Sequence, residues 1–454
     1  MVVSPLFFCM NILSLFSNVG FGEYYLKQNN FNVVVANELL QDRVDFYKTL
    51  YPDSQNVICG DIGDNSVQSK IINACKEVGP IDIVLATPPC QGMSLANATK
   101  ESNDPRNTLI VHAMDVFKAV EANYMLIENV TNMPNTYIYH PDYGQIKIID
   151  YIEEVIPEGF KCITQVVDGK YFNTPQERKR SITLISKNGE WRFPKDKNET
   201  VTLESSIGYL DSIEAQSSSD LKWHFSSKHN PHHIDWMMNT PSGKSAYFNK
   251  GDHYPTKIIK NKSNETIEDL IKNGDVGWHT NPPVIIDKDG NVGNANITTK
   301  SIDGKLKMFA EIPPNYSLKR EVYGFTTAYK RMSWGKPAPT VTMTNGSISS
   351  QNNVHPGRSN PDGTFSDARV LTIREVLLVC GLPPDLLDSF AHEITDDTKF
   401  KFKSGKFGYD YHPSFIRKVL GELFLPKVSL AIFSELKHIN TSSKQTVKQL
   451  EFAL

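Results

Sequence analysis

Six cysteines are few for 454 residues, and none forms a Cys-x-x-Cys pair or joins histidines at metal-ligand spacing. This sets aside a disulfide framework and fits a chain kept in a reducing compartment. No internal repeat is present, and no apolar run approaches the ~18 residues of a membrane span. A charge of one sign is missing too. Lys and Arg number 48 against 51 Asp and Glu, a formal net charge of -3. That balance argues against a histone-like basic protein, yet a large enzyme can carry a local basic face inside a neutral total. The apolar start, "MVVSPLFFCMNILSLF", lacks a basic region and a small-residue cleavage site, so it reads as a first buried strand over 10–16 rather than a signal peptide.

What the chain does have is alternation. Short apolar runs at 11–16, 32–37, 56–61, 81–87, 124–129, 160–167 and 181–186 predict strands. The stretches 107–122 and 143–155 predict helices between them. This order implies a doubly wound α/β fold, and near-continuous apolar strands imply a parallel sheet buried on both faces. From about 195 the texture changes to Asn, Ser, His, Lys and Gly, with "KDGN" (288–291) as a hairpin signal. Helical signals return late. Thr372 with Glu375 forms a capping box and Gly381 a stop. Pro413 and Pro426 suit first helical turns.

The chemistry-bearing residues fall at strand ends. After the first strand, "SNVGFG" (17–22) makes a glycine turn that lets a nucleotide-like ligand approach the backbone. Glu38 ends the second strand, where an acid can accept ribose hydroxyls, and Asp61 ends the third, where it can accept from an adenine amino group. The fourth strand delivers "PPC", with Pro88 and Pro89 stiffening the approach to the Cys90 thiol. "IENV" then places Glu128 at the next strand end, as a carboxyl that can be kept protonated to donate a hydrogen bond. In "QERKR", Arg178 and Arg180 are two apart at the start of a strand and are expected on one face, where a guanidinium can meet a substrate oxygen. Together these groups suit an unreactive pyrimidine. A thiolate adding to C6 of cytosine makes C5 nucleophilic, while a proton at N3 and an arginine at O2 stabilise the charge formed.

The motifs, in this order, closely resemble the DNA cytosine-C5 methyltransferase family. "FSNVGFGEYYL" looks like its S-adenosylmethionine loop, "ANEL" its ribose acid and "GDI" its adenine contact. "PPCQG" looks like its nucleophile loop, "ENV" its acid motif and "QERKR" its Gln-x-Arg-x-Arg motif. "RVLTIREVLLVCGLPPDL" (369–386) resembles its late helix. The resemblance covers roughly 10–195 and 324–435. It implies a Rossmann-like catalytic domain over 1–195, completed by C-terminal helices about 405–454. It also implies a smaller, irregular β-rich target-recognition domain with hinge over 196–370, and a supporting helix and connection over 371–404. It further implies Cys90 as nucleophile, Glu128 at N3, Arg180 at O2 and Arg178 in support. Phe16, Ser17, Val19, Gly20, Glu38, Asp61, Ile62, Pro88, Leu109, Gly421 and Glu422 are implied at the cofactor, S-adenosyl-L-methionine. Gln91 and Ser94 are implied in a mobile loop that closes over an extruded base.

Two departures stand out. Asn18 replaces a usual glycine, and a left-handed backbone there is one that Asn tolerates. The last motif reads "GELFLP" (421–426), with Glu422 in place of Asn. In the recognition region, residues 221–262 mix bases with aromatics: Lys222, Trp223, His224, His229, His232, His233, Lys244, Tyr247 and Lys250. They suit phosphate and base-edge contacts, as does Arg358 in a later loop. No cysteine partner or helical histidine pair supports a metal site. The expected enzyme is a cytoplasmic monomer of bacterial or phage origin acting on double-stranded DNA, with no membrane role, and is either an orphan methyltransferase or the protective counterpart of a restriction endonuclease of the same site. An RNA cytosine-C5 methyltransferase would share the chemistry, and a catalytically silent DNA-binding relative would share the fold.

Overall fold

The computed structural model describes residues 9–89, 105–196, 199–249, 253–260, 284–302, 305–313, 316–321, 329–348, 354–390 and 412–451. The first half runs β1 (Met10–Leu15), β2 (Phe31–Glu38), α1 (Gln41–Leu50), β3 (Val57–Cys59), α2 (Asn65–Val78), β4 (Ile83–Ala86), α3 (Leu109–Ala119) and β5 (Tyr124–Asn129). A hairpin, β6 (Tyr137–His140) and β7 (Gly144–Lys147), precedes α4 (Ile148–Val155), β8 (Phe160–Asp168), β9 (Gln176–Glu177) and β10 (Lys179–Lys187).

These strands build one seven-stranded sheet in the order β3-β2-β1-β4-β5-β10-β8. The first five are parallel. The last two are not: β10 runs antiparallel to both β5 and β8. The expectation of a parallel sheet therefore holds for five strands and is corrected for two. The edge strand β8 has only partial cover on its outer face, which is the place where an antiparallel pair is tolerated.

Strand periodicity sets the two layers. Ile83, Leu85, Tyr124 and Leu126 face one apolar cluster, whereas Val84, Ala86, Met125 and Ile127 face the other. Side chains alternate across a strand, so each residue step changes layer. The second layer is closed by α2, α3 and α4, through residues such as Ile71, Met114, Phe117 and Ile152. The first is closed from far along the chain by α7 (Ile373–Val379), α8 (Pro413–Glu422) and α9 (Pro426–Glu451). The capping box Thr372–Glu375 is present, and Gly381 stops α7 with φ 76°. Pro413 and Pro426 open α8 and α9. One local expectation fails: 143–155 is not all helix. Gly144, at φ 64°, turns the β6–β7 hairpin, and α4 begins only at Ile148.

Between these halves lie α5 (Leu203–Ile207), α6 (Pro231–Met238), β11 (Thr256–Lys260), β12 (Val284–Ile286), β13 (Val292–Asn294), β14 (Asn296–Ile302), β15 (Lys305–Glu311), β16 (Ser317–Glu321) and β17 (Ala338–Pro339). The "KDGN" hairpin is the turn between antiparallel β12 and β13. Leu203, Ile207, Leu210, Trp223 and Phe225 lie beyond residue 195 yet are buried in the first catalytic layer. A separate apolar cluster gathers Trp236, Met237, Tyr329, Val354 and Val370. Beside it sits a buried ionic network. Arg369 donates to both oxygens of Glu375 and to Asp367, and His355 is enclosed among the same groups.

Candidate active site

The strand order reverses between β1 and β4, and a crevice opens where two neighbouring loops leave in opposite directions. The glycine turn leaves β1 there, and the Pro88–Pro89 segment leaves β4. Thr87 ties the two together, donating its N–H to Leu15 O and its hydroxyl to Phe16 O.

The β1 loop is held in an uncommon shape. Phe16, Asn18 and Gly20 all take positive φ, at 58°, 52° and 80°. The left-handed backbone expected at Asn18 is thus present. A bulky aromatic at positive φ is rare and marks a conformation held by its surroundings. The Asn18 N–H donates to Glu38 Oε2, and its side-chain amide donates to Val419 O in α8. Ser17 Oγ and Asn18 Oδ1 are buried and have no hydrogen-bond partner among the described residues. Buried polar atoms rarely stay unpaired, so such a pair fits a bound polar ligand. Val19 is buried beneath.

Glu38 is buried and accepts from backbone N–H groups of Asn18 and Leu40. Burial raises its pKa, while Arg43 opposes the rise. Arg43 also pairs with Glu422 at 2.5 Å, which brings the altered last motif to the ribose-acid side of the crevice. Asp61 is exposed at the end of β3, and its Oδ1 accepts from the Gly63 N–H. Ile62 is buried beside it. His112 of α3 lies near Gly63, and Gln68 joins Ile62 O to the His112 ring. Leu109 opens the same helix, half-buried. Asn107, just before it, is buried with both amide atoms unpaired among the described residues. Sequence reasoning singled out Leu109 in "RNTL" and missed Asn107. Its neighbours Arg106 and Thr108 are polar too, so nothing local singled it out. The donors and acceptors present therefore fit a nucleoside-type cofactor: acids at β2 and β3, and unpaired polar atoms at the β1 loop.

The other half of the crevice is the end of β5. Glu128 is buried and its carboxylate meets Arg180 Nε at 3.0 Å. The sheet register explains the meeting. Ile182 stands opposite Glu128, so Arg180 is its diagonal neighbour on the same face. Burial raises the Glu128 pKa, and Arg180 and then Arg178 hold it back. Asn129 is fixed too: its amide donates to Pro88 O and its Oδ1 accepts from the Val130 N–H. The acid motif thus anchors the approach to "PPC". Cys90, Gln91 and Ser94 lie outside the described residues.

Arg178 and Arg180 both hold back the Glu128 pKa, but their hydrogen-bond partners differ. The strand is interrupted at Arg178, between β9 and β10. Arg178 is buried and forks onto Val341 O at 2.9 Å and Gly421 O at 3.1 Å. Gln176 acts similarly, accepting from the Val341 N–H and donating to Val379 O. Neither partner segment is near in sequence, so no local signal announces this.

The recognition-region residues divide. Trp223, His224 and His229 are buried. Trp223 donates to Leu387 O, His224 bonds Thr372 and Asp211 O, and His229 Nε2 accepts from the Val370 N–H, so all three are engaged inside the fold. Lys222 donates to Asp388 O. Arg358, expected at a phosphate, instead bonds Asp367 and the carbonyls of Gly208 and Leu210, and lies over the Trp334 ring. Lys244 is exposed. Lys250 lies outside the described residues.

Comparison with known proteins points one way. The family model described as C-5 cytosine-specific DNA methylase matches residues 10–405. The Type II methyltransferase M1.HgaI of Avibacterium volantium is 34% identical over 432 residues, covering 93% of this chain and 98% of its own. The Type II methyltransferase M1.HphI of Haemophilus parahaemolyticus is 26% identical over 52% of this chain and 63% of its own. A solved structure from E. coli, titled as a prophage-encoded DNA modification methyltransferase, shares the fold with TM-score 0.57 at 15% identity, over 95% of this chain and 99% of that one. Among the described residues no helix is long and apolar enough to cross a membrane.

Proposed function

Because this chain belongs to the C-5 cytosine-specific DNA methylase family, whose members named above are Type II methyltransferases, we propose that it methylates C5 of a specific cytosine in double-stranded DNA, using Cys90 as nucleophile. The observation that carries this reading is the pairing of buried Glu128 with Arg180 beside Asn129, which holds the carbonyl of Pro88 two residues before Cys90.

The roles follow from chemistry. The Cys90 thiolate adds to C6. Glu128, inclined toward its neutral form by burial, donates to N3, and Arg180 meets O2. The added thiolate makes C5 nucleophilic. After methyl transfer, loss of the C5 proton and of the thiolate restores the ring. Bound S-adenosylmethionine supplies an electrophilic methyl group. Phe16, Ser17, Val19, Gly20, Glu38, Asp61, Ile62, Pro88 and Leu109 would hold it, with Gly421 and Glu422 at the margin. The target base is extruded from the stack, since a duplex covers both faces of cytosine. Gln91 and Ser94 flank it, and Lys244 contacts phosphate. Residues 196–370 supply most sequence readout. A restriction endonuclease reading the same site is the expected counterpart, and the enzyme acts as a monomer.

Nucleoside mass spectrometry of DNA from a host expressing the chain tests this. 5-Methyldeoxycytidine should appear with the intact chain and vanish with Cys90→Ala. Its absence with a folded, cofactor-binding protein would remove the DNA reading and bring forward RNA or a silent relative.

A further inference from the structure

Glu23 has no role among those assigned above, yet it is buried under the cofactor loop, in a short helical turn at Phe21–Glu23. One carboxyl oxygen accepts from Ser14 Oγ of β1 and the other from Tyr47 OH of α1. A buried carboxyl without a paired cation is costly, and an apolar side chain would pack there at less expense of free energy. Its partner is what matters. The Tyr47 and Tyr51 rings lie 4.9 Å apart between centroids and together wall the back of Gly20. A Cβ on Gly20 would come within 2.5 Å of the Tyr51 ring and 2.7 Å of the Tyr47 ring. Tyr51 OH donates to Gly20 O at 2.7 Å, and the Gly20 N–H donates to Ser17 O. On the front of the same turn stand Phe16 and the unpaired Ser17 Oγ and Asn18 Oδ1.

We propose that Glu23 is a positioning residue for cofactor binding: by fixing the Tyr47 hydroxyl it sets the phenol wall against which the 16–20 turn is shaped. This rests on the reading of that turn as the S-adenosylmethionine loop. Burial pushes the Glu23 carboxyl up to about 7, with the Ser14 and Tyr47 hydroxyls opposing the rise. Its geometry is the requirement, and an amide can reproduce it. A Gln would accept from Tyr47 OH through oxygen and donate to Ser14 Oγ through nitrogen.

The test uses the full chain with Tyr47→Phe, Glu23→Gln and Glu23→Ala. S-adenosylmethionine affinity is measured by calorimetry, and steady-state methylation is measured on duplex DNA. Wild-type binding comes first: if the intact chain does not bind S-adenosylmethionine, the reading of the loop falls and the proposal with it. Given binding, Tyr47→Phe should weaken cofactor affinity and raise its KM by about tenfold. The kcat and the KM for DNA should stay within about threefold. Glu23→Gln should bind within about threefold of wild type, and Glu23→Ala should resemble Tyr47→Phe or be worse. Unchanged affinity in Tyr47→Phe overturns the proposal. So does Glu23→Gln as weak as the alanine variant, or a loss spread evenly over kcat and both KM values. Should the alanine variant not fold, Tyr47→Phe and Glu23→Gln decide.

Discussion

Arg178→Lys keeps the charge and removes the fork. In the native protein, two buried guanidinium nitrogens each serve a carbonyl, Val341 O at 2.9 Å and Gly421 O at 3.1 Å. These carbonyls belong to segments 80 residues apart that meet closely at Gly421, where a Cβ would strike the Thr342 and Met343 backbone. An ammonium on a flexible stem cannot span both in fixed geometry. At least one charge-assisted bond is lost, and one buried carbonyl is left without its donor, together about 2–4 kcal/mol. Urea unfolding should therefore show a lower midpoint at unchanged slope. Arg180→Lys is the comparison. Arg180 is partly exposed and its main partner, Glu128, accepts an ammonium as readily, so stability should change by less than about 1 kcal/mol. Methylation should nonetheless fall by about 10²-fold, because the planar donor at O2 is gone. An unchanged midpoint in Arg178→Lys, or a larger loss in Arg180→Lys, would refute the division of labour between the two arginines.

Other consequences follow from packing and charge. Gly421→Ala places a methyl against the 342–343 backbone, and overpacking of about 1–3 kcal/mol should outweigh the helix-propensity gain of about 1 kcal/mol. Thermal melting should show the loss, and cofactor affinity should fall with it. His355 is wholly buried, and burial with Arg369 beside it lowers its imidazole to about 3. The unfolded chain then binds a proton that the folded one refuses. Stability should drop as pH falls from about 6.5 toward 3. At pH 5 that amounts to ~2 kcal/mol, which His355→Gln should remove. Urea midpoints at pH 7 and pH 5 check it, and an equal fall in both proteins would rule the idea out. Glu375, held down at about 2 despite burial by Arg369 and His355, adds a loss of the same sign below about 4.5.

The sequence alone determined the parts whose cause is local. Strand period and apolar runs located all seven strands of the main sheet, because burial on two faces needs an unbroken apolar stretch. Caps and prolines located α7, α8 and α9. The left-handed turn at Asn18 was legible because few side chains tolerate it. Glu128 and Arg180 were legible as motif residues, and the sheet register then brought them to 3.0 Å. Tertiary structure decided the rest. That β10 inserts antiparallel between β5 and β8 depends on pairing, which apolar content does not encode. Arg178 is held by Val341 O and Gly421 O, and Arg358 by the Gly208 and Leu210 carbonyls, because partners distant in the chain met them there. Glu23, though inside the glycine-turn stretch, and Asn107 carried no local signal of their own. Their meaning comes from burial beside the crevice, and burial is a property of the folded chain, not of a residue's neighbours in sequence.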